Sequence, residues 1–446
     1  MSGRRGSLFG LDAGVKAGVI AAMRARPGRN AEPSPHRLDE DERARARPDL
    51  SEHPLYRELA MQKRAADKLA IANPFFRVHE RAAGHRTRIG GRDYANFASY
   101  NYLDLVEHPA VTAAAQAAIA AYGTSASASR AVGGERPVHA ALEAAIARLH
   151  GTEAAVAFVS GHGTNVSVLG KLFGPNDLIV HDALAHNSIQ VGAQLSGAMR
   201  RAFAHNDPAS CEAVLRSYRS RAERAIVVVE GLYSMDGDTP DLAAFVDVAR
   251  RHGAFVMVDE AHSVGTVGAT GRGVAEYCAV DPADVDIWMG TLSKSFAGCG
   301  GYVAGSRMLA EMLKFAAPGF LYSVGMPPAV AAASTAAIEV LEAEPERATR
   351  VQANGRAFVE SCRAHGLDVG RSEGFNVVPV IVKSSVVAAR LSNWLFERGV
   401  NVQPILHPAV EEKAARLRFF ITCAHTPDDL AHAAALTAEG LRAVRR

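Results

Sequence analysis

The sequence predicts an α/β protein built on a mostly parallel sheet with helices on both faces. Three observations predict it. From about residue 96 onward, short apolar runs alternate with helical patterns. The runs at 154–159, 178–181, 225–229, 255–258, 287–289 and 302–304 are continuously apolar, as strands covered on both faces are. Polar, chemistry-bearing residues follow the ends of several of these runs, where ligands bind in such sheets.

In chain order, residues 1–50 stand apart. They carry Arg24, Arg26, Arg29, Arg43, Arg45 and Arg47 among prolines and few large apolar groups, so a mobile basic arm is expected, with one short amphipathic helix at 10–23. An N-terminal segment, 51–95, leads into a large domain at 96–335. The helix expected at 139–149 has apolar residues at helical spacing. Pro327 and Pro328 introduce a long Ala-rich helix. After about 340 the pattern becomes helix, strand (377–382), helix, strand (417–422), helix, which predicts a smaller α+β domain over 336–446.

Bulk properties narrow the function. The chain has 446 residues, 48% hydrophobic and 22% charged, with a formal net charge of +2, so no global field points to nucleic acid. Its five cysteines are scattered and form no Cys-x-x-Cys pair, which argues against a zinc site or a disulfide framework and for a reducing, cytoplasmic setting. No apolar stretch is long enough to span a bilayer, and the N-terminus lacks a signal-peptide core.

The chemistry centres on two strand ends. Phe255-Val-Met-Val258 runs into Asp259-Glu-Ala-His262, and the apolar run at 287–289 leads to Thr291 and Lys294. A lysine that forms a Schiff base and a carboxylate that holds a pyridinium nitrogen are the two requirements of a pyridoxal phosphate (PLP) enzyme. Burial would lower the pKa of Lys294 and free its amine. A carboxylate placed directly after an apolar strand is desolvated and calls for a cation, although Asp is also a good helix N-cap. His262 reaches the same pocket. Ser160-Gly-His-Gly-Thr-Asn165 opens a helix, and its glycines suit a phosphate at the helix N-terminus. Thr291 and Ser293 are placed to bond a phosphate. His186 is read either as a capping residue or as an imidazole stacked on a ring, and Ser234 either as a turn residue or as a cofactor hydroxyl.

Taken together these segments resemble the α-oxoamine synthases, fold type I PLP enzymes with a seven-stranded sheet in the large domain. The resemblance covers roughly 90–440 and rests on Ser99-Tyr-Asn-Tyr-Leu-Asp-Leu105, Gly231-Leu-Tyr-Ser-Met-Asp-Gly-Asp238, Asp259-Glu-Ala-His-Ser-Val-Gly265, Gly290-Thr-Leu-Ser-Lys-Ser-Phe296, Tyr322-Ser-Val-Gly-Met-Pro-Pro328 and Ala415-Arg-Leu-Arg-Phe419. It implies that Lys294 is the Schiff-base lysine, Asp259 the pyridine-nitrogen partner, His262 a contact to the ring oxygen and His186 the residue stacked on the ring. Gly161, His162 and Thr291 are implied at the phosphate, Ser234 beside the cofactor, and Ser323 with Tyr322 at the partner's phosphate in a homodimer. Tyr100, Asn101 and Arg418 are implied at the substrate, with Arg418 holding the amino-acid carboxylate.

The implied reaction is a decarboxylative condensation of a small L-amino acid with an acyl thioester, on CoA or an acyl carrier protein, giving an α-amino ketone. Tyr100 stands where many members have Asn, as in serine palmitoyltransferases, and favours serine over glycine or alanine. Gly123-Thr-Ser-Ala-Ser-Ala-Ser-Arg130 replaces a more glycine-rich loop and resembles synthases of polyketide or lipid assembly. The basic arm would then dock an acidic carrier. The alternatives are a PLP lyase or aldolase of the same fold type and a non-catalytic subunit.

Overall fold

The computed structural model describes residues 49–445, and the chain divides into two units, Met1–Leu69 and Ala70–Arg446. In the first unit the helix Pro54–Lys68 begins on a proline, whose missing N–H would be unpaired there anyway, and His53 accepts the Leu55 N–H at 3.2 Å. The helix expected at 10–23, and nearly all of the arm 1–50, lie outside the described residues.

The second unit opens with β1 (Arg86–Ile89) and β2 (Arg92–Asn96), an antiparallel hairpin turned on Gly90 and Gly91, both at positive φ. Seven strands then form one sheet: β3 (Ala154–Phe158), β4 (Leu178–Asp182), β5 (Met199–Phe203), β6 (Ala225–Glu230), β7 (Phe255–Asp259), β8 (Ile287–Thr291) and β9 (Gly301–Gly305), in the order β3-β9-β8-β7-β6-β4-β5. β9 runs antiparallel to both neighbours and the other pairs are parallel, so the expected mostly parallel sheet is what forms.

Alternate residues feed two cores. Val156, Ile179, Val228, Met257 and Met289 face one, Val180, Val227, Val229, Val258 and Trp288 the other. On the first face pack the helices Gly161–Leu172, Asn187–Leu195 and Arg307–Ala316, and on the second Pro137–His150, Leu242–Arg251 and Pro328–Ala343, among others. β6, β8 and β9 are buried at every position, which is why they read as unbroken apolar runs. β5 was not among the expected strands. It is the edge strand, and its sequence Met-Arg-Arg-Ala-Phe puts Arg200 and Arg201 on it, charges that guard an edge against mispairing and mask its apolar pattern.

Toward the C-terminus β10 (Val377–Ile381), β12 (Gln403–Ile405) and β13 (Arg416–Phe420) form an antiparallel sheet in the order β10-β13-β12, while β11 (Val400–Asn401) pairs parallel with β2. The helices Glu346–Ala364, Ser385–Glu397 and Pro427–Val444 cover these strands, and Ala95 and Phe97 join their core, with the Phe97 ring 5.4 Å from Phe419. A small cluster of Tyr102, Leu232, Val267, Phe375, Val377 and Phe420 lies where the segment carrying Tyr102 meets β10 and β13.

Candidate active site

The carboxyl ends of the central parallel strands lie side by side. Glu230, the last residue of β6, is in register with Asp259, the last of β7, and Asp259 with Met289 of β8. Over these ends opens a cavity lined by Gly161, His162, Asn165, His186, Ser188, Glu230, Asp259, Ala261, His262, Met289, Thr291 and Lys294. Seven residues singled out from sequence are thus brought together: Gly161, His162, His186, Asp259, His262, Thr291 and Lys294.

Asp259 is buried, and its carboxylate is held at both oxygens. Oδ1 accepts the Ala261 N–H at 2.9 Å, and Oδ2 accepts from the Asn165 amide at 2.8 Å. The same amide donates to Ser188 Oγ at 2.9 Å, leaving Asn165 Oδ1 buried with no partner. Lys294 faces this carboxylate electrostatically. Burial lowers its amine to about 8, opposed by the charges of Asp259 and Glu230. Its Nζ lies 5.7 Å from the centroid of the Tyr100 ring.

Of the two readings given to it, His186 shows the capping role in the structure. It caps the helix Asn187–Leu195, with Nδ1 2.7 Å from Ser188 Oγ, and it lines the cavity. Its backbone N–H donates to Glu230 Oε1 at 2.6 Å. Burial pushes its imidazole pKa down, and it pushes Glu230 up to about 8, assisted by the neighbouring Asp259 charge. His262 is buried, held well below its ordinary value by that burial and then by the charges of Lys294 and Arg418, so its ring is neutral.

Gly161 starts the helix that Ser160 caps, accepting the Gly163 N–H at 3.1 Å. A Cβ on Gly161 would meet Thr291 Oγ1 at 2.8 Å, and one on Gly301 would meet the Gly161 Cα at 2.7 Å. Glycines at these two places let the helix N-terminus settle against β8 and β9. Thr291 donates its hydroxyl to the Gly300 carbonyl at 2.7 Å, so that proton is already used inside the protein.

The loop after β6 carries Ser234. Its side chain is not among those lining the cavity, but its carbonyl accepts from Arg418 at 2.9 Å. Arg416 pairs with Asp236 at 2.7 Å, and Glu373 accepts the Thr239 N–H at 2.8 Å, so the loop is fastened to the C-terminal sheet. Arg418 Nε is buried and unpartnered, and its Cζ lies 4.7 Å from the centroid of the Phe420 ring. Tyr100 packs on Phe420 with centroids 4.7 Å apart. Asn101 and Ser323 lie apart from the cavity lining. The Asn101 side-chain Oδ1 accepts the Leu105 N–H at 2.9 Å and the Val106 N–H at 3.3 Å, which ties up a turn.

Asn165, Ser188, Glu230, Ala261 and Met289 were missed from sequence. Asn165 is recoverable, because it lies one helical turn past Gly161 and shares its face. Glu230 carries the same signal as Asp259, an acid ending an apolar strand.

The donor set fits pyridoxal phosphate. A lysine with a lowered pKa, a carboxylate anchored at each oxygen, the neutral His262 and a glycine-opened helix N-terminus meet in one cavity, and an arginine with an unused buried N–H stands beside it.

Residues 92–436 match the model of the family described as aminotransferase class I and II. The chain is 41% identical over 345 residues to the 8-amino-7-oxononanoate synthase of Methylocella silvestris, covering 77% of this chain and 96% of that protein. It is 40% identical over 354 residues to that of Symbiobacterium thermophilum, covering 79% and 90%. A solved serine palmitoyltransferase from S. paucimobilis, holding PLP and myriocin, superposes with a TM-score of 0.85 at 30% identity over 89% of this chain and 99% of that one. The Sphingomonas wittichii serine palmitoyltransferase does so with a TM-score of 0.84 at 29% identity, over 89% and 99%.

Proposed function

The chain belongs to the aminotransferase class I and II family as a PLP-dependent C-acyltransferase of the α-oxoamine synthase kind, which joins an amino acid to an acyl thioester, and from that premise we propose the residue roles and the amino acid. The observation that carries the proposal is the meeting of Lys294, Asp259, His186 and His262 in one cavity next to an arginine with an unpaired buried N–H. PLP supplies an electrophilic aldehyde and a ring that stores the electron density released at the amino acid's α-carbon.

Lys294 would hold the group at Nζ, and the same nitrogen is the base that would move the α-proton; its lowered pKa suits both tasks. Asp259, fixed in place by Asn165 and the Ala261 N–H, would neutralise the ring's positive end. His186 would cover one ring face, and His262 would meet the ring oxygen. The first-turn N–H groups at Gly161 and His162 would hold the phosphate, and Thr291, whose hydroxyl is spent on the Gly300 carbonyl, would shape the wall beside it rather than donate to it. Arg418 and Tyr100 orient the amino-acid carboxylate, and the Ser234 carbonyl steadies Arg418. Asn101 shapes the turn behind Tyr100 rather than touching substrate.

Two amino acids are favoured, by different observations. Tyr100, which lies beside Lys294 and against Phe420, favours serine through the resemblance to serine palmitoyltransferases. The relatives at 40% identity and above make a product whose amino-bearing carbon carries a methyl group, which favours alanine. A homodimer is supported by a patch on which Val132, Tyr322 and Val324 are exposed at 87%, 85% and 51%. Their segments are joined by Ser129 Oγ donating to the Leu321 carbonyl at 2.7 Å and the Gly325 N–H to the Ala128 carbonyl at 2.9 Å. Ser323, in this patch, would reach the neighbouring subunit's phosphate. All five cysteines are free, which suits the cytoplasm, and among the described residues no helix is long and apolar enough to cross a membrane.

The test is to supply the holoenzyme with alanine, serine or glycine and with acyl thioesters of graded length on CoA and on a carrier protein, and to measure CO2 and free thiol. Matched release of both is expected with one of the three amino acids. Cleavage of the amino acid without thiol release would instead mark a lyase.

A further inference from the structure

His262 has two ring nitrogens, and which one bears the hydrogen decides whether the cavity meets a donor or a lone pair. Nδ1 lies 2.9 Å from the phenol oxygen of Tyr102, which is wholly buried. Burial raises the Tyr102 pKa well above its usual 10, so the phenol keeps its proton. That O–H must donate, because a buried donor left without an acceptor is costly. Asn376 also approaches the phenol, but it turns its amide nitrogen that way. The same nitrogen donates to the His262 carbonyl at 3.0 Å, which fixes the orientation of the amide. Among the described residues the remaining acceptor for the phenol proton is His262 Nδ1.

We propose that Tyr102 is a positioning residue whose phenol donates to His262 Nδ1 and thereby locks the ring as the Nε2–H tautomer, presenting an N–H donor to the cavity. The proposal rests on reading the cavity as the PLP site, where that donor would face the ring oxygen. Were Nδ1 protonated instead, Nε2 would offer a lone pair to an oxygen, and the Tyr102 hydrogen would be stranded. The neutral state of His262 excludes the doubly protonated ring that would satisfy both ends. The packing supports a fixed rather than swivelling contact. Tyr102 sits in the cluster of Leu232, Val267, Phe375, Val377 and Phe420, its carbonyl accepts the Cys423 N–H at 2.8 Å, and the His262 ring lies nearly parallel to Phe420, 6.3 Å away. Partners that orient a working histidine from behind are commonly worth about 10–100-fold in activity.

The test uses full-length holoenzyme labelled with 15N-histidine, with the His262 signals assigned against His262→Gln, and reads the tautomer from long-range proton–nitrogen correlations. The Nε2–H pattern is expected in the native protein. Tyr102→Phe is expected to shift it toward Nδ1–H or a mixture, and to lower kcat about 10–100-fold while the amino-acid KM changes little. An Nδ1–H pattern in the native enzyme, or an unaltered pattern in Tyr102→Phe, overturns the proposal. If Tyr102→Phe does not fold, the native spectrum decides alone. The tautomer is read without turnover, so failure of the condensation assay would leave this result standing on its own.

Discussion

At Lys294 burial pulls the amine down to about 8, while the carboxylates of Asp259 and Glu230 pull it back up. Uptake of PLP by the apoprotein is therefore expected to quicken as pH rises through about 8, where the free amine becomes the main form; a rate flat across that interval, followed at the visible absorbance band, would contradict the assignment. Lys294→Ala is expected to abolish turnover and borohydride labelling, and surviving turnover would move the covalent site elsewhere. Arg418→Ala should weaken amino-acid binding by about 2–5 kcal/mol, the range for losing one partner of a buried charge pair, measured by spectral titration with alanine and serine. Lys294, Asp259 and His262 are legible in the sequence because each follows an apolar strand closely. Glu230 ends an apolar strand as Asp259 does, but the loop after it offers Ser234 as a second polar candidate, which masks the signal. Tyr102 was hidden, since a tyrosine among apolar neighbours reads as core and its hydroxyl contact spans 160 positions.

At the scale of elements, three loops at the sheet's end are joined through one imidazole. His205, just past β5, has Nδ1 2.9 Å from Asp182 Oδ1 at the end of β4 and Nε2 3.0 Å from Asp238 Oδ2 in the loop after β6. Asp182 also accepts from Tyr233 at 2.9 Å and from the Asn206 N–H at 2.9 Å. Two carboxylate acceptors require both ring nitrogens to carry hydrogen. Burial disfavours that charge, but the two aspartates overcome it and raise the imidazole from 6.5 to about 9. The folded state thus holds the proton more tightly than the unfolded chain does. The stabilisation is complete below about pH 6.5 and is lost as pH climbs through about 9. Melting curves of native protein and His205→Gln should differ most near pH 6 and converge toward pH 10, and a gap constant across that range would remove His205 as its cause. Nothing in the sequence marks this cluster, because its members sit in three separate loops and only the sheet order brings them together.

At the scale of the whole molecule, the seven-stranded sheet was legible wherever both faces are covered and obscure where one is not. Continuous burial makes β6, β8 and β9 apolar up to the Glu230 and Thr291 that end the first two, whereas the arginines of β5 and the polar faces of β1 and β2 leave weak patterns. The pairing of β2 with β11 spans about 300 residues of chain and has no local signature, so residues near 95 were read as a lead-in, although Ala95 and Phe97 pack into the C-terminal core. The exposed Val132, Tyr322 and Val324 lead to a whole-molecule expectation. Tyr322→Asp should shift the protein toward monomer in analytical ultracentrifugation, and an unchanged sedimentation profile would place the subunit contact on another face.

The loop after β6 is tethered twice, to His205 through Asp238 and to the C-terminal sheet through Asp236, Thr239 and the Ser234 carbonyl that Arg418 grips. A ligand bearing a carboxylate would draw on that arginine and so tension a strap reaching back to the strand ends beneath the ring. A simple amine would leave the strap slack, so any preference for amino acids over amines would be a property of this span as much as of the cavity wall.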